Sequence, residues 1–226
     1  MNEWKKGPAI RKKMLEGNIG YLRIPSMLTG SIAEFSKKAQ SLNDSLCQLL
    51  NQSPKGLILD LRLNGGGAMH PMILGVHNLL PSGKVGEFHV KKKEDWLLKN
   101  NSFLVDTAVL ATIVPRCTNR AQQLPVVILT SPQTGSSGEF LIMTFKGRRN
   151  IILLGSTTAG YVTVNSGFLI SDTAYMNLAV GYGADKNGTV YKEALNPDVF
   201  VEGPDSFNDI DKDMKVQAAI KWLKKH

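Results

Sequence analysis

Two adjacent serines, Ser136 and Ser137, stand between glycines in the stretch TGSSGEF, residues 134–140. They follow the apolar run LPVVILTS (124–131), which is typical of a buried strand, and a helix is predicted to begin at them. Backbone N–H groups and the helix dipole favour negative charge at such a position, so a serine there is suited to attack a carbonyl carbon. The alternative is that one serine merely caps the helix, and position alone favours that interpretation. The spacing also differs from the G-x-S-x-G pattern of the α/β-hydrolases.

A second candidate element is the glycine run that ends GLILDLRLNGGG, residues 56–67. Consecutive glycines after a buried strand let the backbone approach a ligand, and their N–H groups can point at a developing oxyanion. A flexible turn between a strand and a helix would explain the same residues. Beside a serine at a helix start, however, the glycines complete what acyl transfer requires, which is a nucleophile and an oxyanion hole on neighbouring strands.

A general base is harder to find in the sequence. His70, in GGGAMHPMI, lies beside the glycine run and is the best candidate, and His77 follows seven positions later on the same predicted helix. For each of them an ordinary surface or core histidine is the favoured interpretation. Cys47 and Cys117 show neither the spacing of a metal site nor that of a disulfide framework, so they are predicted to be ordinary thiols. No metal and no organic cofactor is predicted.

The composition, with 42% hydrophobic and 20% charged residues, predicts a single compact domain covering residues 1–226. No apolar run approaches the roughly 20 residues of a membrane span, and the N-terminal residues lack the apolar core of a signal peptide. The net charge of +8 is expected on a solvated surface, because the basic clusters lack interleaved aromatic residues and match no nucleic-acid-binding motif. These clusters are Lys5, Lys6, Arg11, Lys12, Lys13, Lys91, Lys92, Lys93 and the terminal KWLKKH.

The elements that must position the candidate site alternate between strands and helices. NIGYLRIP (18–25) predicts a first core strand. Ser31 and Glu34 form a capping-box pattern that begins a helix, which is predicted to end near NQSPKG (51–56). GLILDLRL (56–63) is almost continuously apolar and predicts a buried parallel strand.

The rest of the chain continues this alternation. Residues 68–80 predict a second helix, and residues 81–121 mix Lys/Glu-rich and apolar pieces that predict a flap or excursion. NIILLGS (150–156) predicts a further strand, the stretch around Asp172 an antiparallel hairpin, and DMKVQAAIKWLKK (213–225) an amphipathic helix. The predicted fold class is therefore α/β, with a mostly parallel central sheet flanked by helices and a late antiparallel hairpin.

Four sequence motifs, which follow one another along the chain, make the sequence resemble the carboxy-terminal processing peptidases, also called tail-specific proteases. They are D-L-R-x-N-x-G-G (60–67), T-G-S-S-G-E (134–139), G-x-x-T-x-G (155–160) and x-P-D-V (196–199), and the resemblance covers most of residues 17–201. The SSGE and GGGAMHPMI motifs are most similar to those of the branch that contains the tricorn core and the nisin-resistance proteins. The resemblance implies a core related to the ClpP/crotonase architecture and a peptide or protein substrate.

The resemblance also implies roles for individual residues. Ser136 corresponds to the nucleophile of the family, and the backbone N–H of Ser137 corresponds to one donor of the oxyanion hole. The second donor is expected from Gly66 or Gly67. Glu139 is interpreted as a structural residue of the helix start.

The general base departs from the larger branch of the family, which pairs the serine with a lysine after the next strand. Tyr161 takes the place of that lysine here, and a neutral phenol with a pKa of about 10 is a donor rather than a base near neutral pH. The other branch uses a histidine before the first core strand, but no histidine precedes His70 in this sequence. The base is therefore expected from an upstream segment absent from this sequence or, as a second choice, from His70.

These observations predict a serine endopeptidase of the tail-specific class that is weak or inactive as this chain stands, since loss of a general base costs about a hundred- to ten-thousandfold in rate. The alternative is a peptide-binding or sequestering module on the same fold, which the missing base favours and the retained serine and glycines oppose. An acyl-CoA-handling protein of crotonase type would rest on architecture alone. The family resemblance implies an extracytoplasmic or membrane-associated location.

Overall fold

The computed structural model describes residues 9–28, 30–118 and 121–226. Lys5 and Lys6, counted above among the basic clusters, lie outside the described residues. The described part of the chain forms two six-stranded sheets and four α-helices. In chain order these elements are β1 (Arg11–Leu15), β2 (Ile19–Arg23), α1 (Ile32–Leu50), β3 (Gly56–Asp60), α2 (Met69–Gly75), β4 (Gly83–His89), β5 (Glu94–Lys99), β6 (Ser102–Val105), β7 (Ala108–Thr112), β8 (Val126–Thr130), α3 (Ser137–Phe145), β9 (Ile151–Gly155), β10 (Thr163–Ser171), β11 (Ala174–Asp185), β12 (Val199–Phe200) and α4 (Met214–Leu223).

The first sheet has the strand order β1-β2-β3-β8-β9-β12 and is parallel except where β1 pairs antiparallel with β2. Successive side chains of a strand point to opposite faces. Accordingly, Leu57 and Leu59 of β3 join a core cluster with residues of α1, α2 and α3, whereas Ile58 joins a second cluster with α4. Helices therefore cover both faces, which explains why β3 and β8 are buried throughout and apolar in sequence. The mixed α/β class is confirmed.

Pairing of β3 with β8 is what brings the two candidate segments together. These strands are parallel neighbours, with Leu57 opposite Val126 and Asp60 opposite Leu129. Their carboxyl ends therefore lie side by side at one edge of the sheet, where ligand sites of parallel sheets commonly form. The glycine run follows β3 and the serines follow β8, so both emerge at that edge.

The second sheet is antiparallel, with the order β10-β11-β4-β5-β6-β7. Residues 81–121, predicted as a flap or excursion, contribute its strands β4 to β7. The hairpin predicted near Asp172 is confirmed, because β10 and β11 pair up to Ser171 and Ala174. Whether the chain is one domain stays a prediction.

Helix positions follow the sequence signals closely. At the start of α1 the Ser31 hydroxyl accepts a hydrogen bond from the Glu34 amide at 3.2 Å, and the Glu34 carboxylate accepts one from the Ser31 amide at 3.2 Å, so the predicted capping box is confirmed. The predicted helix over residues 68–80 is α2 followed by a short 3₁₀ turn, His77–Leu79. Strand β1 was not predicted, because its sequence RKKML carries three basic residues and only one buried side chain.

Cys47 and Cys117 form a disulfide, so the prediction of ordinary thiols was wrong. The bond joins α1 to the segment that follows β7, across a sequence separation of 70 residues, and both cysteines are buried. Sequence spacing could not reveal it, since a disulfide depends on the approach of two Cα atoms, here 5.5 Å apart. The bond fastens the strands of residues 81–121 to the first sheet through α1.

Replacing both cysteines by serine should lower the free energy of unfolding by about 2–4 kcal/mol, because the cross-link restricts the unfolded chain. Urea denaturation of the oxidised protein and of the Cys47→Ser/Cys117→Ser variant measures this difference. A reductant should destabilise the wild type and leave the variant unchanged. Equal unfolding midpoints for the oxidised wild type and the variant would contradict the assignment.

Candidate active site

Ser136 occupies a sharp turn between β8 and α3. Its backbone has φ 53° and ψ −121°, a conformation that residues with side chains rarely adopt. Such a conformation costs about 1–3 kcal/mol, persists only where surrounding contacts impose it, and is concentrated at functional sites. A helix-capping serine normally has an extended backbone, so capping alone does not account for this geometry. A strained turn from strand to helix is also how α/β-hydrolases expose their nucleophile.

The glycine run lies directly against Ser136. A Cβ atom built on Gly66 would lie 2.7 Å from Ser136 Cβ and 3.1 Å from its Oγ, and the backbone of Gly66 has φ +113°. A Cβ on Gly67, with φ +107°, would lie 2.7 Å from the backbone carbon and oxygen of Met27. Both positions therefore require glycine, for close approach and for backbone conformation.

Asn64 and Ser137 tie the glycine run to the serine turn. The Asn64 side-chain oxygen accepts a hydrogen bond from the Gly66 amide at 3.1 Å, and its backbone oxygen accepts one from the Gly135 amide at 3.0 Å. The Ser137 hydroxyl donates to the backbone oxygen of Gly67 at 2.5 Å. The sequence analysis assigned no role to Asn64, although its position in the D-L-R-x-N-x-G-G motif could have indicated one.

Two backbone N–H groups remain available beside Ser136. Within the described residues neither the Gly67 amide nor the Ser137 amide has a hydrogen-bond acceptor, whereas the Gly66 amide is occupied by Asn64. Ser137 is the first residue of α3, so its free N–H also carries the positive end of the helix dipole. Of the two glycines expected as donors, Gly67 is thus the one whose amide is free to bind an anion.

Ser136, Ser137, Gly67 and His70 line one cleft of about 240 Å³. The structure thus brings together the predicted nucleophile, both free amides and the candidate base. The other wall comes from the second sheet, and the residues lining it are Phe88, Thr163, Val164 and Asn165. The cleft therefore lies between the two sheets.

Glu139 connects the serine turn to the loop after β9. Its side chain is fully buried. One carboxylate oxygen accepts a hydrogen bond from the Ser136 amide at 2.9 Å, and the other accepts bonds from the Thr158 hydroxyl and from the Gly160 amide at 2.9 Å. These bonds hold the Ser136 amide in place and link it to the loop after β9. The interpretation of Glu139 as a structural residue stays a prediction, and these contacts support it.

His70 reaches the cleft in apolar surroundings. Its ring lies 5.0 Å from the ring of Phe35 and 5.4 Å from that of Phe103, between centroids. Burial lowers the pKa of His70 to about 4, because the charged form is poorly solvated there. Its Nδ1 atom is buried and has no hydrogen-bond partner among the residues that the structure describes. His70 is therefore neutral at pH 7 and a weak proton acceptor.

The lowered pKa of His70 predicts a dependence of stability on pH. The unfolded chain takes up the proton near pH 6.5, whereas the folded protein takes it up only near pH 4. The free energy of unfolding should therefore fall as the pH is lowered from about 6.5 towards 4. In His70→Phe this part of the dependence should disappear, and urea denaturation over a pH series measures both proteins. Identical pH profiles would show that His70 titrates normally in the folded state.

Tyr161 stands where the larger branch of the resembling family has a lysine. Its side chain is 66% exposed. A Cβ atom built on Gly135 would lie 3.0 Å from Tyr161 Cδ2, so the tyrosine ring lies beside the residue that precedes Ser136. The Tyr161 side chain therefore lies beside the serine turn, but it carries no amine that could act as the base.

Neither a metal-ligand cluster nor a membrane-spanning helix occurs in the described ranges. Across residues 9–28, 30–118 and 121–226, no group of three or more His, Cys, Asp or Glu side chains is arranged to hold a metal ion. Over the same residues, no helix has the length and apolar character needed to cross a membrane.

The chain is similar in sequence and in structure to several known proteins. The model of a family described as Peptidase family S41 matches residues 18–201. The chain is 28% identical to the nisin-resistance protein of Lactococcus lactis subsp. lactis and 29% identical to the carboxy-terminal processing protease CtpA of Bacillus subtilis (strain 168), with 94% and 95% of this chain covered. It spans 62% and 44% of the lengths of these two relatives. The solved structure of a lipoprotein from Streptococcus agalactiae matches with a TM-score of 0.75 and 29% identity, over 98% of this chain and 71% of that one.

Proposed function

This chain belongs to peptidase family S41, and on that premise we propose that it is a serine peptidase in which Ser136 attacks the carbonyl carbon of a peptide bond. The resemblance that the sequence motifs predicted is confirmed by the match to the family and by the similarity to the relatives described above. The observation that carries the proposal is the strained backbone of Ser136, held against Gly66 at the mouth of a cleft. Strain at a serine between a strand and a helix has a clear use in exposing a nucleophile.

In the proposed reaction the Ser136 Oγ forms a bond to the carbonyl carbon and loses its proton to a base. The carbonyl oxygen becomes an oxyanion that accepts hydrogen bonds from the amides of Gly67 and Ser137, which are free in the described structure. Protonation of the leaving amine breaks the peptide bond and leaves an acyl-enzyme, which water then hydrolyses. The Ser137 hydroxyl donates to the Gly67 carbonyl and so fixes the peptide group that follows Gly67, next to the proposed oxyanion hole.

The proposed reaction also needs a base that accepts the proton of Ser136. His70 lines the cleft and is neutral at pH 7, but a base with a pKa of about 4 removes a serine proton poorly. Efficient turnover requires a stronger base, and the proposal places it outside the described residues, with His70 as the second choice. The relatives extend well beyond the matched region, since the chain spans 62% of the nisin-resistance protein.

The proposal extends to architecture, substrate and location. The parallel order of β2, β3, β8, β9 and β12 with helices on both faces supports a core of ClpP/crotonase type within a single domain. A peptide or protein substrate follows from the peptidase family. A buried disulfide is favoured in an oxidising compartment, which supports a site of action outside the cytoplasm.

A peptide-binding module without turnover is the second candidate function. The low pKa of His70 and the tyrosine at position 161 favour it, because both deprive Ser136 of a base. A binder, however, has no need of a strained serine or of two unpaired amides beside it.

A fluorophosphonate probe tests the proposal. The folded protein should form a covalent adduct on Ser136, identified by mass spectrometry of its peptides, and protein unfolded in urea should form none. Peptide binding without any adduct on Ser136 in the folded protein would support the binding module and refute the peptidase.

Glu139→Gln should slow adduct formation about a hundredfold, because a displacement of about 1 Å in a reacting group can cost that much. The amide that replaces the carboxylate cannot accept all three hydrogen bonds from Ser136, Thr158 and Gly160. The measurement is the rate of fluorophosphonate labelling, with Glu193→Gln as the control for removal of one negative charge outside the cleft lining. Equal labelling rates in the two variants would show that Glu139 does not position the serine.

A further inference from the structure

Strand β10 is an edge strand that begins in the cleft. In the described sheet β10 pairs with β11 on one side and has no strand on the other. Its first residues, Thr163, Val164 and Asn165, line the same cleft as Ser136. An edge strand presents a row of unpaired backbone N–H and C=O groups that can pair with another extended chain. The free edge therefore leads directly away from the proposed nucleophile.

The outer half of the β10–β11 hairpin is exposed and apolar on both faces. Leu169 and Tyr175 lie opposite each other on one face and are 73% and 71% exposed, and Phe168 and Met176 lie opposite each other on the other. Side chains alternate along a strand, so Val164 and Phe168 share a face of β10. Across the hairpin, Met176 lies opposite Phe168 and Leu178 lies opposite Ser166, and so both join that face. The Phe168 face is defined by Phe168, Met176 and Leu178, which are 39% to 43% exposed. Val164, on the same side of β10 near the cleft, packs against the core, so the exposed Phe168 face adjoins the core.

The hairpin lacks the features that usually protect an exposed edge. Natural edge strands are blunted by lysine, proline or inward-facing charges. Residues 163–184 contain no lysine, arginine or proline, and Asp172, in the turn, is their single charged residue. Register shifts occur between Val164 and Asn165 and between Leu169 and Ser171, and the pairing of residues 165–169 between them is regular. Such an edge is suited to pairing with an apolar chain of low charge.

We propose that the substrate is an extended, apolar peptide segment that pairs along the free edge of β10 and lays part of its side chains on the Phe168 face. This inference rests on the proposed function, because it places one flank of the scissile bond on the hairpin while the bond itself lies at Ser136. From Val164 to Ile170 the strand measures about 20 Å at 3.3–3.4 Å per residue, enough to hold about six substrate residues. Specificity then depends on apolar residues several positions away from the cleaved bond.

Extended peptides commonly bind by adding a strand to a sheet edge, where main-chain hydrogen bonds supply affinity and side-chain contacts supply specificity. This hairpin offers both kinds of contact. The free edge of β10 begins in the cleft, and the apolar Phe168 face lies further along the same strand. A second copy of the chain could use the same edge. The location of the first β10 residues inside the cleft favours the substrate, because a second copy paired there would block Ser136.

The test measures peptide binding without turnover, in the Ser136→Ala protein, by fluorescence anisotropy. The probe is a fluorescein-labelled 12-residue peptide of Leu, Val, Ala and Ser with blocked ends. A matched peptide carries the same side chains but methylated backbone nitrogens over its central six residues, which prevents strand pairing. The protein variants add Phe168→Thr with Met176→Thr, or Leu178→Thr alone, and the control adds Val109→Thr, an exposed apolar residue on β7 at the opposite edge of the same sheet.

Binding of the probe should weaken about tenfold, or 1.4 kcal/mol, in the Phe168→Thr/Met176→Thr protein, and about tenfold for the methylated peptide. Val109→Thr should leave binding unchanged. Failure of the probe to bind, or equal binding by the methylated peptide or by both Thr variants, would overturn the inference. So would sedimentation showing a dimer that the Thr variants convert to a monomer while peptide binding persists. Fluorophosphonate labelling of Ser136 in the wild type is scored separately, so loss of the nucleophile and loss of the peptide surface are distinguishable.

Discussion

Ser136→Ala is expected to lower kcat/KM for peptide hydrolysis by about a thousandfold or more, because the attacking oxygen is removed while the oxyanion-binding amides stay in place. The fold should be retained. The serine side chain is half-buried, and the backbone turn is held by bonds from the Ser136 amide to Glu139 and from the Gly135 amide to Asn64. Hydrolysis of a quenched fluorescent peptide, with circular dichroism of both proteins, measures the effect.

Ser137→Ala is the matched control for Ser136→Ala. It keeps the backbone N–H proposed for the oxyanion hole and removes the hydroxyl that bonds the Gly67 carbonyl. The loss of that one positioning bond should cost about tenfold, equivalent to 1.4 kcal/mol, since a net hydrogen bond contributes about 0.5–1.5 kcal/mol. Similar losses in the two variants would contradict the assignment of Ser136 as the nucleophile.

Arg62→Met is expected to lower the free energy of unfolding by about 3–5 kcal/mol, because it leaves buried Asp213 without its cation and buried Asp60 with only Arg23, at 3.8 Å. The guanidinium donates from Nε and Nη2 to Asp60 at 3.0 and 2.9 Å and from Nη1 to Asp213 at 2.8 Å. All three side chains are fully buried. Asp213 is also the N-cap of α4, so the network fastens the C-terminal helix to the end of β3.

The same arginine supports the serine turn. The backbone oxygen of Arg62 accepts a hydrogen bond from the Ser131 hydroxyl at 2.7 Å, and that of Leu61 accepts one from the Thr134 hydroxyl at 2.9 Å. Displacement of the Arg62 backbone should therefore disturb the loop that leads to Ser136. Arg62→Met is then expected to slow fluorophosphonate labelling as well as to destabilise the fold.

Lys13→Met provides the comparison for Arg62→Met. Lys13 pairs with Asp211 on the surface, where both side chains are about half exposed. An exposed pair contributes about 0–1 kcal/mol, so this variant should unfold close to the wild type in urea. Equal destabilisation by the two substitutions would show that burial of the Arg62 network has no special energetic role.

The sequence predicts those elements whose environment is uniform along their length. Strands β3 and β8 are buried on both faces, so continuous apolar residues identify them. Helix α1 carries its own capping box and a regular apolar face, and the hairpin near Asp172 is bounded by turn residues. In these cases the local sequence and the tertiary environment agree.

Strands β4 to β7 escape prediction because their pairing breaks the local pattern. Register shifts interrupt β4 against β5 and β6 against β7, so burial does not alternate with every second residue. Buried Glu87 on β4 depends on Lys84 and Lys93 for partners, and a sequence pattern would assign it to the surface. Here tertiary contacts override local preference.

The candidate site was predictable in its residues but not in its geometry. The sequence motifs identify Ser136, Ser137 and the glycines. The φ of 53° at Ser136, and which of Gly66 and Gly67 has a free amide, depend on contacts with Asn64. The environment of His70 comes from Phe35 and Phe103, which are distant in sequence, so its low pKa had no local signal. The disulfide is hidden for the same reason.

A crystal structure of the fluorophosphonate adduct would show directly whether Ser136 is the nucleophile. We expect phosphorus bonded to Ser136 Oγ, with the phosphoryl oxygen about 2.7–3.1 Å from the amide nitrogens of Gly67 and Ser137. A phosphoryl oxygen turned towards solvent, or an adduct on a residue other than Ser136, would contradict it.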